Sequence, residues 1–183
     1  SLILQICLIE WCLLLNDIMY REYLFHISDY FCLLTKNEAW FEFLLPFLIG
    51  VVAFVRSLYG VDLYNIVTEL IQVLEILLGF LLAALALFVT INTDKIKLLQ
   101  QHKIEKKLND EDVSLYKRII IEFSYLIFVV STLCISYLLG LIIPCCSNLL
   151  ASICNSVFIF ISFHVLFSIV RTLTSLSFIL QKE

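Results

Sequence analysis

Hydrophobic positions along the chain gather into long blocks separated by short polar stretches, and these blocks set the expected elements. "FLLPFLIGVVAFV" at 43–55, prefixed by Trp40 and Phe41 and ended by Arg56, predicts a first spanning helix over 40–60. That is just long enough, at ~20 residues, to cross a hydrocarbon core of about 30 Å. Pro46 falls in its first turns, where a missing N–H is best tolerated. "YGVD" at 59–62 turns the chain, and a second block at 65–92 returns it. A third block runs over 119–143 and is closed by Pro144; a fourth starts near Leu149 and reaches about residue 172. The pattern predicts two transmembrane hairpins, 40–92 and 119–183, the second ending in a tail.

Two stretches depart from it. Residues 1–39 are apolar but interrupted by Gln5, Glu10, Asp17, Arg21, Glu22, His26, Asp29 and "TKNE" at 35–38. Polar residues at that density predict an amphipathic helical region, cytoplasmic or interfacial, rather than a lipid-facing span. A crossing over 2–19 would leave Gln5 and Glu10 in hydrocarbon. Residues 93–118 form the extended hydrophilic segment and hold Lys95, Lys97, Lys103, Lys106, Lys107, Lys117 and Arg118, seven of the twelve basic residues. The positive-inside bias predicts a cytoplasmic loop here, which places both termini on the cytoplasmic side of an inner or plasma membrane. Within it "LNDED" at 108–112 reads as a turn, with Asp110 or Asp112 capping the helix that follows.

Composition agrees with the pattern: 62% of residues are hydrophobic, 15% are charged, and the mean hydropathy is +1.01. A soluble domain is nearer to half apolar and a quarter charged. Four Gly and two Pro supply too few turns for an all-β architecture. The fold class is therefore an all-α integral membrane protein of about four transmembrane helices with an N-terminal helical region. A net charge of −4 argues against nucleic acid as a direct partner. The seven cysteines include no Cys-x-x-Cys pair and no His at ligand spacing, so neither a metal nor a cofactor is expected. Cys145 and Cys146 are adjacent in a probable loop; the other thiols lie mostly in apolar runs and suit packing. No HExxH, GxSxG, GxGD or P-loop pattern occurs, and catalysis is not expected.

The chemistry that stands out is polar residues inside the blocks. At 100° per residue, Asn65, Thr68, Glu69, Gln72, Glu75, Gly79, Ala83, Ala86 and Thr90 share one face of the second span, with bulky residues opposite. Gly79-x-x-x-Ala83 suits close helix packing, and Thr or Gln can bond across such a contact. Glu75 suits packing poorly, because an ionised carboxylate in hydrocarbon costs on the order of 3 kcal/mol. Arg56 could pair with Glu69 across the first turn; otherwise the stripe needs water, as on the axis of an oligomeric pore. Acidic rings select ions and apolar throats gate by dewetting. On the fourth span His164, Ser168, Arg171, Thr172 and Ser175 share a side. His164 is expected as a hydrogen-bonded core residue, with proton sensing as the alternative. Arg171 lies at a depth similar to Glu122, which predicts a salt bridge between third and fourth spans.

Two function classes follow. The first is an oligomeric, cation-preferring channel or pore-forming effector, gated through cytoplasmic residues 1–39 and 93–118, which could also receive a cytoplasmic protein partner. In layout alone, with no motif behind it, the chain looks like the small membrane effectors of bacterial anti-phage systems. The second is a non-catalytic accessory subunit of a larger membrane complex, in which the stripe docks a different chain.

Overall fold

A computed structural model describes residues 27–90, 94–108, 111–142 and 148–181. Four of its helices are long and apolar enough to cross a membrane. Helix α1 covers 27–33. Helix α2, Lys36–Leu58, is unbroken but passes through one π-helical stretch at Trp40–Leu44. Helices α3 (Tyr64–Thr90) and α4 (Asp94–Gln101) follow, then strands β1 (Lys103–Leu108) and β2 (Glu111–Ser114), and finally α5 (Leu115–Ile142) and α6 (Asn148–Gln181). The expectations for residues 1–26, for Asp110 and for the Cys145–Cys146 pair lie outside the described residues.

Two of the spans begin about one turn earlier than the apolar blocks suggest, and each has a local cause. "TKNE" is a capping box: the Glu38 amide donates to Thr35 Oγ1 at 3.3 Å and the Thr35 amide donates to Glu38 Oε2 at 2.8 Å. It satisfies two otherwise orphaned donors and starts α2 at Lys36 rather than at 40. At α5, Ser114 Oγ accepts the Lys117 amide at 3.2 Å and starts the helix at Leu115 rather than 119. Asp112, one of the two residues expected to cap, instead lies on β2 and pairs with Lys103 at 2.8 Å. The hydrophilic segment is thus a short helix and a two-stranded antiparallel hairpin, with Lys103 opposite Ser114 and Leu108 opposite Glu111. The turn between α2 and α3 is closed by Gly60 at φ 83°, a left-handed conformation that favours glycine, and Asp62 Oδ1 accepts the Tyr64 amide at 2.9 Å.

Helix α6 is the centre of the bundle and touches α2, α3 and α5. It has little amphipathic contrast, as suits a helix covered on several sides. The most extensive pairings join α2 to α6 and α3 to α5, so the first span packs on the fourth and the second on the third. At Gly50 the α2 backbone comes so close to α6 that an added Cβ would stand 3.0 Å from Phe160 Cβ. The main core gathers Ile71, Leu74 and Leu81 from α3, Phe123, Leu126 and Val130 from α5, and Val165 and Ile169 from α6. Tyr30 and Leu33 of α1 join the same core, which seats α1 against the bundle.

Candidate functional site

Two groups of acidic residues belong to the spans, and the fold treats them differently. The first lies at the end where α2 and α5 begin and α6 finishes. The early starts of α2 and α5 place Glu38 and Glu42, and likewise Arg118 and Glu122, four residues apart on single helical faces. Between them stands Arg171 of α6. Its guanidinium pairs with Glu42, lies 3.2 Å from Glu122 Oε1, and reaches Glu38 Oε1 at 3.5 Å. Arg118 pairs with Glu122 and with Glu38, both at 2.9 Å. Glu42 is fully buried and Glu122 nearly so. The inner four groups, Glu42, Glu122, Arg118 and Arg171, balance in charge. Glu38 is the additional negative charge, held at the helix N-terminus where partial positive charge favours it.

Neutral groups complete this cluster. Tyr30 donates its hydroxyl to Glu42 Oε2 at 2.5 Å, lies 3.2 Å from Ser168 Oγ, and stacks on Tyr125 with ring centroids 3.8 Å apart. Burial and then the Glu42 carboxylate raise the Tyr30 phenol above its ordinary value, so it keeps the proton it donates. Thr172 donates to Glu122 Oε2 at 3.1 Å. His164 Nδ1 lies 3.0 Å from the Glu42 carbonyl oxygen, which can only accept, so Nδ1 is the donor. In the neutral ring Nε2 then accepts the Tyr125 hydroxyl at 2.9 Å. His164 is therefore a buried residue with both ring nitrogens used, and Phe43 stacks on it at 4.5 Å.

The second group is the α3 stripe. Glu69, Gln72, Glu75, Gly79, Ala83, Ala86 and Thr90 all face outward, while Val67, Ile71, Leu74 and Leu81 on the opposite side are buried. Among the described residues Gly79-x-x-x-Ala83 is not used for close packing, because a Cβ at Gly79 would meet nothing within 4 Å. Two stripe members approach another helix: Thr68, with Tyr137 Oη 3.3 Å away on α5, and Glu75, which interacts electrostatically with Cys134 of α5. Arg56 is exposed and does not pair with Glu69: among the described residues no ion pair reaches Arg56, Glu69 or Glu75. The acids start α3 at the end opposite the ion-pair cluster, so the bundle has a paired acidic end and an unpaired one.

Of the polar membrane residues singled out from sequence, the fold brings Glu122, Arg171 and His164 into one cluster and leaves Arg56 and the stripe apart. Glu38, Glu42, Arg118 and Tyr30 were not anticipated there. The capping-box signature at 35–38 carried the signal for two of them, since a helix from Lys36 puts Glu38 and Glu42 on one face. Among the described residues no group of three or more His, Cys, Asp or Glu is placed to hold a metal ion. Comparison with protein-family models, curated proteins and solved structures finds no significant match. What the fold defines is the class: an all-α membrane protein with, among the described residues, four helices able to span a bilayer.

Proposed function

We propose that the protein is an oligomeric membrane channel, cation-preferring and gated from its cytoplasmic side. The observation that carries this reading is the outward stripe on α3, whose two acids have no ion pair among the described residues. Two carboxylates without a counter-charge, facing hydrocarbon, cost on the order of 3 kcal/mol each, and water on one side removes that cost. The interior of one copy is filled by the core around α6, so a water path has to run between copies. In a homo-oligomer with α3 at the axis, Glu69, Gln72 and Glu75 form the acidic mouth. Gly79, Ala83, Ala86 and Thr90 form the narrow throat below it. The Lys-rich segment 93–118 supports a cytoplasmic position for that segment and for both termini, in an inner or plasma membrane. Residues 1–39 and 93–118 are the segments proposed to receive a cytoplasmic partner.

The test is single-channel recording from purified protein in planar bilayers, beside Glu69→Gln and Glu75→Gln. Discrete cation-preferring currents whose selectivity weakens in both variants are expected. Silence from protein that is monomeric would remove the channel reading and make the stripe a docking face for a different membrane chain.

A further inference from the structure

Helix α3 is held to the bundle by different forces from the other spans. Helices α1, α2, α5 and α6 meet in the ion-pair cluster, each contributing at least one side chain. A second tie joins α2 to α6 toward the other end, where the Ser57 and Ser152 hydroxyls are 2.8 Å apart. Helix α3 enters neither. Among the described residues its directional contacts are the Thr68–Tyr137 hydroxyl pair and the stacking of Phe88 on Tyr116 at 5.2 Å. The rest is apolar packing: Ile71, Leu74 and Leu81 in the main core with α5 and α6, and Val67 in a second core with Ala53 of α2 and Ile159 of α6.

In a bilayer this difference has an energetic meaning. Lipid tails are as apolar as leucine, so no hydrophobic drive holds one apolar helix face on another, and a shift of α3 forfeits packing, one hydroxyl pair and one ring stack but no ion pair among the described residues. Separating a buried ion pair strands a charge. The turn that feeds α3 contains Gly60 at φ 83° with open space around it, which suits a hinge. We propose that α3 is the moving element of this protein, shifting against a rigid unit made of α1, α2, α5 and α6. As a gating motion the shift rests on the channel reading, since it would carry Glu69 and Glu75 relative to a pore axis; as a motion it does not.

Electron–electron distances between spin labels test it, in lipid nanodiscs, on the full chain. Labels carried by non-canonical amino acids leave the seven native cysteines in place. Outward positions serve as label sites: Val52 on α2, Ile135 on α5, Val170 on α6 and Ile76 on α3. Pairs among Val52, Ile135 and Val170 are expected to give single narrow distances. Pairs from Ile76 to Val52 and to Val170 are expected to be broadened or split by up to about 5 Å, one helical turn. Equally narrow distributions for every pair would overturn the proposal, as would broadening shared by the other three spans. A second measurement uses disulfide locks. Leu81→Cys with Leu126→Cys, across α3 and α5, should cut channel openings about tenfold until reductant is added. Ser57→Cys with Ser152→Cys, within the rigid unit, should leave openings unchanged, and equal loss in both would overturn the proposal. If no currents are seen at all, the channel reading fails, while the distances still decide whether α3 moves.

Discussion

Glu42 and Glu75 are both carboxylates in apolar helices, yet their surroundings differ in nearly every respect. Glu42 is fully buried, paired with Arg171 and hydrogen-bonded by Tyr30. Glu75 faces outward with no ion pair among the described residues. The first kind of acid holds a fold together, because removing a partner leaves a charge with nowhere to go. The second kind has no counter-charge among the described residues, so its presence calls for something beyond them. The comparison separates a structural acid from a functional candidate by asking whether the chain supplies its counter-charge.

The comparison makes ordered predictions. Arg171→Met is expected to have the largest effect: it leaves Glu42 and Glu122 buried with fewer partners, a loss of about 3–5 kcal/mol. Thermal or denaturant unfolding in detergent should show it, and near-wild-type stability would mean that water already reaches the cluster. Tyr30→Phe removes one donor to a charged acceptor and should cost about 1.5–3 kcal/mol in the same assay. It should also loosen α1, which hydrogen exchange over residues 27–33 would report. Glu69→Gln and Glu75→Gln should each change stability by less than about 0.5 kcal/mol, as for surface positions, while altering ion selectivity. A destabilisation as large as that of Arg171→Met would erase the distinction between the two groups. Gly79→Ala should be neutral to slightly stabilising in the single copy, since a Cβ there meets nothing within 4 Å. A clear loss of oligomer in that variant, seen by crosslinking in native membranes, would show that the stripe is a tight contact between copies rather than a water-lined wall.

The element pattern was legible because it depends on local composition. Four apolar blocks became four helices able to span a bilayer. The errors were at the starts, and they mattered. An apolar block marks where a helix can enter hydrocarbon, not where its hydrogen bonding begins. The capping residues Thr35 and Ser114 extend α2 and α5 by about one turn into polar sequence. That extra turn brings Glu38 and Arg118 into the bundle. The Glu122–Arg171 contact could be anticipated from matched depth on two antiparallel spans, and it lies at 3.2 Å. Arg56 and Glu69 were close in sequence across a turn, yet sequence proximity did not orient them toward one another. The two-stranded hairpin in the hydrophilic segment carries little signal in the sequence, because its alternation is weak and its residues are mostly charged.

Four apolar blocks, their order and the phase of each polar residue around its own helix axis were readable in the sequence. Those are local properties, set by composition and by a fixed rotation of 100° per residue. Only the tertiary structure decided which faces meet. It turned the bulky side of α3 inward and its acidic stripe outward, and it brought Arg171 between three carboxylates from two other helices. The physical reason is that pairing depends on packing between residues up to about 130 positions apart, such as Glu42 and Arg171, and no local spacing records it.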